Sequence, residues 1–173
     1  MATPKNQTRD CGLYRATKAL PGNEAAVPAG TLVYFHNHHA TDSGRPLPSV
    51  IPPDHNVHNR WHFHVETAIN DIRSPSWVES LEKMPDQGFY TLRRELTFDG
   101  GSWPKGSIVQ LGYTRSADAI LFIARVRPTL SENDLFFSDK GVGIKREQLS
   151  ILEPAVIYNE PGDGSEHPTG PSH

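Results

Sequence analysis

One short pattern occurs twice in this chain of 173 residues, and it limits the possible folds more than any other feature. The tripeptide Gly-Leu-Tyr at 12–14 recurs as Gly-Phe-Tyr at 88–90, an offset of 76, and at the same offset the segment 27–33 matches the segment 103–109. Weaker matches follow: the segment 59–63 matches the segment 133–137 at an offset of 74, and residues 81–82 match residues 152–153 at an offset of 71. A constant offset over 24 positions indicates a duplicated unit, and its later drift places length changes in loops, where they are tolerated.

Alternating apolar residues predict short β-strands in both copies. Between residues 89 and 98 they indicate a strand with one buried face, followed by a turn at residues 99–101. A Pro-x-Gly segment begins a second strand in each copy, and helical turns are predicted near 74–83 and 145–149. The matching positions that we predict to be buried are Val33, Phe35 and Trp61 in the first copy and Val109, Leu111 and Leu135 in the second.

The composition supports a mainly β fold in two units. The chain contains 15 prolines and 14 glycines, which is high for a helical protein and ordinary for strands joined by turns. The two ends are polar, so they lack the burial that would offset the entropy of ordering. We therefore expect a flexible N-terminal tail at 1–10, a first unit at 11–86, a second unit at 87–158 and a disordered C-terminal tail at 159–173.

The predicted units resemble a known small fold. Four or five short strands with one helical turn in about 70 residues resemble an SH3-like small β-barrel, and the whole chain resembles a tandem of two. The shared phrase Pro-x-Gly-Ser/Thr-x-Val is similar to the second strand of such barrels. The resemblance implies an all-β fold of two repeated barrels and a role in binding peptides, nucleic acids or other subunits. It carries over no catalytic residues.

Charge, hydropathy and cysteine content limit the expected partners and compartment. The formal net charge of −3 predicts no general attraction to nucleic acid or anionic lipid. No segment approaches the ~20 apolar residues needed to span a membrane, and the first residues show no hydrophobic secretory signal. Cys11 is the single cysteine and can form no internal disulfide, which favours a cytoplasmic location.

Histidines are concentrated in the first copy, where seven of the nine lie between residues 36 and 64. If the apolar residues of the second strand face the core, alternation directs His36 and His38 outward, and the same rule applies to the histidines after Trp61. Two such pairs on neighbouring strands could surround one ion, Zn²⁺ or another divalent transition metal. The candidate metal ligands are His36, His38, His62, His64 and Glu66.

Two alternatives to this metal site remain open. The second copy has no histidine at the matching positions, so the fold does not require them, and a solvated polar face rich in histidine also fits the pattern. A cupin-type metalloenzyme is a narrower alternative, because Gly30-x5-His36-x-His38 resembles the opening of the first cupin motif. The resemblance ends there, since Asp42 stands near where that motif has glutamate and no histidine follows Gly106 in the second motif.

The sequence contains no complete set of catalytic residues, so the leading hypothesis is a non-catalytic protein-interaction module, an accessory or adaptor subunit. Its partner is expected to be a protein rather than a membrane or nucleic acid. The proline-containing segment 40–58 is expected to be exposed and to contact that partner. The candidate partner-binding residues are Tyr34, Trp61 and Tyr113. The alternative function is a metal-binding protein or small metalloenzyme that uses the histidines of the first copy.

Overall fold

The computed structural model describes residues 9–39, 47–128 and 133–156, and strands dominate within them. This confirms the predicted all-β class. The predicted tails lie outside the described residues, apart from Arg9 and Asp10. In chain order the strands are β1 (Gly12–Arg15), β2 (Leu32–His39), β3 (Leu47–Ile51), β4 (Asn56–Val57), β5 (Arg60–Trp61), β6 (Glu82–Lys83), β7 (Gly88–Leu92), β8 (Leu96–Phe98), β9 (Gly101–Trp103), β10 (Ile108–Tyr113), β11 (Ala119–Pro128), β12 (Asn133–Phe137), β13 (Val142–Ile144) and β14 (Leu152–Pro154). The helices are α1 (Pro75–Ser80) and two 3₁₀ helices, Val65–Thr67 and Arg146–Ile151.

The longer strands form two antiparallel sheets. The first has the order β3-β2-β1-β6, and the second has the order β12-β11-β10-β7-β14, with β13 also paired to β11. The pairs β4–β5 and β8–β9 are separate two-stranded hairpins. Neither large sheet closes on itself within the described residues, so the pair of SH3-like barrels stays a prediction.

The Pro-x-Gly turn has the same geometry in both halves of the chain, by which we mean residues 11–86 and residues 87–158. Gly30 and Gly106 have φ values of +90° and +85°, left-handed values that glycine adopts without a steric penalty. The amide of Gly30 donates to the carbonyl of Ala16 at 2.6 Å, and that of Gly106 donates to Leu92 at 2.8 Å. The two halves thus use one backbone turn at positions 76 residues apart.

The first sheet is buried on both faces. On one face Val33 and Phe35 pack with Trp77 of α1 in a cluster drawn from the first half. Leu13 and Leu32 alternate to the opposite face and join a second cluster. That second cluster also contains Met84, Tyr90, Leu92, Leu96, Val109, Leu111, Tyr113, Leu121 and Leu152. One core cluster therefore spans both halves.

The burial predicted from the repeat is found at two of the three matched pairs. The fully buried residues of these pairs are Val33, Phe35, Val109 and Leu111. The prediction is wrong for the third pair: Trp61 is half-buried, and Leu135 is 57% exposed because it lies beside its partner Val126, itself 60% exposed, on the solvent face of the second sheet. The third strand predicted after residue 59 is also shorter than expected, since β5 ends at Trp61 and Val65 lies exposed in a 3₁₀ helix.

The segment 40–58 is not an exposed loop throughout. Residues 40–46 lie outside the described residues, but Leu47–Ile51 form β3, in which Val50 and Ile51 are buried. The prediction is therefore wrong for β3. Its single proline, Pro48, is tolerated because β3 is the outermost strand of its sheet, where the ladder hydrogen bonds on the outer edge come from an isolated bridge between Val50 and Ile69. Residues 54–58 are exposed, as expected.

Candidate metal centre

A short hairpin carries most of the described histidines. It consists of β4, β5 and the flanking residues, and we call residues 54–64 the histidine hairpin. His58 and Asn59 form its two-residue turn, and their φ values are +48° and +65°. Positive φ at both positions is the geometry of a type I′ turn, whose twist matches that of the paired strands.

The register of the hairpin places imidazole rings side by side. The backbone N–H of His62 donates to the carbonyl of His55 at 2.9 Å, so the two residues lie opposite each other. Their rings stack with centroids 4.7 Å apart and an interplanar angle of 2°. His64 follows two positions later, and its ring centroid lies 5.4 Å from that of His55. Three exposed imidazoles are thus neighbours on the hairpin.

A carboxylate lies between two of these rings. Oδ2 of Asp54 is 2.6 Å from Nδ1 of His55 and 3.5 Å from Nε2 of His64. The three potential ligand atoms all lie within 4.8 Å of one another, and we call these residues the Asp-His-His group. The hydrogen bond with His55 lowers the pKa of Asp54, and the charges of both histidines and of Arg115 act in the same direction. The carboxyl group therefore stays ionised to lower pH than an ordinary aspartate.

Trp61 joins the histidine hairpin to the rest of the fold. Its backbone N–H donates to the side chain of Gln87 at 2.7 Å, and its carbonyl accepts from the same side chain at 3.1 Å. Its indole N–H donates to the carbonyl of Tyr113 at 2.8 Å, and the guanidinium of Arg115 lies 5.5 Å from the ring centroid. The position of Trp61 is therefore determined by contacts with residues far along the chain.

Two further side chains hold the ends of the hairpin. Gln110 is 5% exposed and donates to the carbonyl of His58 in the turn at 2.8 Å. Arg115 donates to the carbonyl of Pro53, directly before the hairpin, at 2.8 Å. These bonds fix the backbone beneath the Asp-His-His group, so the group is presented on a preorganised element.

A cavity of about 640 Å³ lies between the first sheet and the histidine hairpin. Strands β2 and β3 line one side, and residues 57–65 line the other. Aromatic and basic side chains make up most of its lining, among them Tyr34, His36, Arg60, Trp61, His62 and Phe63. None of the residues of the Asp-His-His group is in this lining.

The structure brings together only part of the predicted ligand set. His64 belongs to the Asp-His-His group, Glu66 has its Oε2 4.0 Å from Nδ1 of His64, and His62 stacks on the neighbouring ring. His36 lines the cavity, and the side chain of His38 lies outside the described residues. The expected pairing of two histidine-bearing strands is wrong, because β2 pairs with β1 and β3.

Asp54 and His55 were not among the candidate ligands expected from the sequence. The observation that could have found them is the spacing around the turn dipeptide, since a two-residue turn at 58–59 places residue 55 opposite residue 62. A histidine followed by an asparagine is not the usual Asn-Gly or Asp-Gly pair of such turns, so the hairpin was not apparent.

The three predicted partner-binding residues lie in different environments. Tyr34 and Trp61 are half-buried on the cavity wall. Tyr113 is 4% exposed, its hydroxyl donates to the carbonyl of Pro85 at 2.9 Å, and burial raises its pKa. Tyr113 is therefore a core residue and offers no surface to a partner.

Comparison of the chain with protein-family models, with curated proteins and with solved structures finds no match. In the described part of the chain, no helix has the length and apolar character to cross a membrane. The function is therefore inferred from the chemistry of the residues themselves.

Proposed function

We propose that the protein binds a divalent transition metal ion, with Zn²⁺ as the best fit, through Asp54, His55 and His64. The observation that supports this function is the approach of their three potential ligand atoms to within 4.8 Å of one another. Imidazole nitrogen and carboxylate oxygen are both zinc ligands, at about 2.0–2.2 Å from the ion. The pKa of Asp54 is lowered, so its carboxyl group stays ionised and contributes a negative charge to the site.

Two of the separations between the potential ligand atoms can be compared with those around a zinc ion. Around a tetrahedral zinc ion the ligand atoms lie about 3.3 Å apart, as the bond lengths require. The separation between Asp54 and His64 is 3.5 Å, which is already close to this value. The separation between Asp54 and His55 is 2.6 Å and has to lengthen as the ion replaces their shared proton. All three side chains are exposed and free to make this adjustment.

Glu66 supports the same assignment. His64 turns Nε2 toward Asp54 and Nδ1 toward Glu66, at 3.5 Å and 4.0 Å. Metal-binding histidines commonly donate their other ring N–H to a carboxylate, which fixes the tautomer that binds the ion. Three protein ligands leave a fourth zinc position open for water, which is the arrangement of catalytic zinc sites.

The direct test is calorimetric titration of the tag-free protein with Zn²⁺ at pH 7.5. We expect one ion per chain in the wild type and loss of that binding in His64→Ala and in His55→Ala. A titration at pH 5.5 should show weaker binding, because protons compete with the ion for imidazole.

The matched control is His58→Asn, which removes an imidazole from the same hairpin but not from the Asp-His-His group. Asparagine tolerates the positive φ of this position, so the turn is preserved. If His58→Asn weakens binding as much as His64→Ala does, or if the wild type takes up no ion, the metal function is refuted.

The protein-interaction function is the second candidate, and we propose a second copy of this chain as the partner. The observation that favours it is an apolar face on the outer part of the second sheet. Val126 and Leu135 are paired there and are 60% and 57% exposed, and the rings of Phe89 and Phe137 stack nearby at 5.1 Å.

The edge of this sheet suits pairing between identical copies. Within the described residues β12 pairs with β11 alone, and Asp134 is its single charged residue. An edge strand with little charge and no proline readily adds another strand. Two β12 strands related by a two-fold axis would continue the sheet and join the two apolar faces.

Sedimentation equilibrium tests this second candidate. We expect a dimer in the wild type, a monomer in Leu135→Lys, and a dimer in the control Val65→Lys, which charges an exposed apolar residue elsewhere. A monomeric wild type, or a dimer that survives Leu135→Lys, would exclude this surface as the interface.

A further inference from the structure

The cavity between the first sheet and the histidine hairpin has walls suited to an aromatic ring. Tyr34 and Phe63 have ring centroids 5.8 Å apart at an angle of 44°, and Trp61 forms a third aromatic wall. Buried Ile51 contributes an aliphatic surface. The volume of about 640 Å³ lies within the range of about 300–1,000 Å³ found for small-molecule sites.

These walls are formed before any ligand arrives. Trp61 and Phe63 pack against the core cluster that spans both halves. The indole N–H of Trp61 is hydrogen-bonded to Tyr113, and Gln87 bonds to its backbone on both sides. A preformed wall reduces the conformational entropy that binding would otherwise cost.

The polar part of the lining contains one fixed positive charge, the guanidinium of Arg60. The other polar side chains there belong to Tyr34, His36, His58 and His62, and no carboxylate is present among the described lining residues. The guanidinium of Arg60 forms no hydrogen bond or ion pair with any described residue. A free guanidinium binds a carboxylate through two parallel N–H donors, which fixes both position and orientation.

We propose that this cavity binds a small planar aromatic carboxylate, with its ring among Tyr34, Trp61 and Phe63 and its carboxylate on Arg60. The site goes beyond the proposed metal function, because none of the three metal ligands lines the cavity. The positive charge of Arg60 disfavours a cation, and the aromatic walls favour a flat ring over a flexible chain.

Calorimetric titration with three matched probes tests this site in the full chain with EDTA present. The probes are 2-naphthoate, the uncharged 2-naphthamide and the non-aromatic cyclohexanecarboxylate. We expect 2-naphthoate to bind at least about tenfold more tightly than either of the others, because only it matches both the walls and the guanidinium. EDTA removes any ion that could bind the carboxylate instead.

Two variants locate the site. Arg60→Gln should weaken 2-naphthoate about tenfold and leave 2-naphthamide unchanged, since only the charge-assisted bonds are lost. Val57→Trp adds bulk at a lining position that is 42% exposed and should abolish binding of both naphthyl probes. Arg73→Gln, an exposed arginine of the same half outside the lining, is the control and should bind like the wild type.

Several results would overturn the proposal: no binding of 2-naphthoate, equal binding of the amide, or equal affinity in Arg60→Gln and Arg73→Gln. The two sites are also separable. In EDTA, His64→Ala should bind 2-naphthoate like the wild type. If 2-naphthoate binds only when Zn²⁺ is supplied, the cavity site is refuted while the metal site stands.

Discussion

The two halves of the molecule differ most where the first carries the histidine hairpin. In the second half the matched segment 133–137 forms β12, which pairs with the ten-residue strand β11 and widens the second sheet. In the first half the matched segment 59–63 turns back on β4 and packs against the other half. Alternating buried positions therefore define the sheets, while the candidate metal ligands lie in a segment between the sheet strands.

The outer face of the second sheet also differs from one end to the other, because one end is covered and the other is exposed. The histidine hairpin covers one end of that face, where Gln110 bonds to the turn and Gly112 lies beside Asn59. At the other end Val126 and Leu135 are more than half exposed. One sheet face is therefore part interior and part surface, and variants at its two ends should behave differently.

The largest expected effect concerns the matched core positions. Phe35→Ala should lower the free energy of unfolding by about 3–5 kcal/mol and Leu111→Ala by about 2–5 kcal/mol, because both side chains are fully buried and their loss leaves a cavity. Leu135→Ala should change it by about 0.5 kcal/mol or less, as is usual for an exposed position. Urea denaturation measures all three. An equal cost for Leu111→Ala and Leu135→Ala would remove the contrast between the buried and the exposed position of the second half.

The sequence predicted two of the three matched core pairs, but only His64 of the Asp-His-His group, and the difference has one physical reason. The burial of Val33 and Val109 follows from an alternation that is visible within a few residues. The position of Trp61 depends on hydrogen bonds to residues 26 and 52 positions away in the chain, which no local pattern records. The assembly of the Asp-His-His group likewise depends on a turn with positive φ at His58 and Asn59.

The second prediction tests the contact between the histidine hairpin and the second sheet. A Cβ at Gly112 would lie 2.6 Å from the backbone oxygen of Asn59, so Gly112→Ala must displace the hairpin or strain the strand. We expect a loss of about 1–3 kcal/mol in the free energy of unfolding, as for other overpacked sites.

Gly143→Ala is the matched control for this prediction. Gly112 and Gly143 both lie opposite Ile120, on its two sides in the same sheet, but a Cβ at Gly143 would meet no atom within 4 Å. Its substitution should change the free energy of unfolding by about 0.5 kcal/mol or less. Equal thermal shifts in the two variants would show that the hairpin does not press on the second sheet.

The third prediction concerns the bonds that hold Trp61. Gln87→Ala removes two hydrogen bonds to the backbone of Trp61 and should cost about 1–2 kcal/mol, with faster amide exchange at Trp61. Gln148→Ala is the control, because it removes a side-chain bond to the backbone N–H of Lys145 on the surface of the second half. Exchange at Trp61 that is unchanged in Gln87→Ala would mean that other contacts hold the hairpin.

The smallest expected effect is a pH dependence of stability that comes from one buried tyrosine of the second half, Tyr113. Tyr113 is buried in the second half, where its hydroxyl donates to Pro85, and the residue 76 positions earlier is Asn37. Burial raises the pKa of Tyr113 above the ordinary tyrosine value near 10. The folded state therefore keeps a proton that the unfolded chain releases. This contribution to stability is complete below about pH 10 and is lost as the pH rises further, by at most about 1.4 kcal/mol per pH unit.

Tyr113→Phe should have a lower free energy of unfolding than the wild type, and the difference should become smaller as the pH rises. At pH 8 the variant lacks one hydrogen bond and should be less stable than the wild type by about 0.5–1.5 kcal/mol. Above pH 10 the wild type loses stability through Tyr113 and the variant does not, so urea denaturation at pH 8, 10 and 10.8 should bring the two curves together. A deficit that stays constant over this range would mean that Tyr113 titrates alike in the folded and unfolded chain, and that the interior of the second half does not protect its hydroxyl.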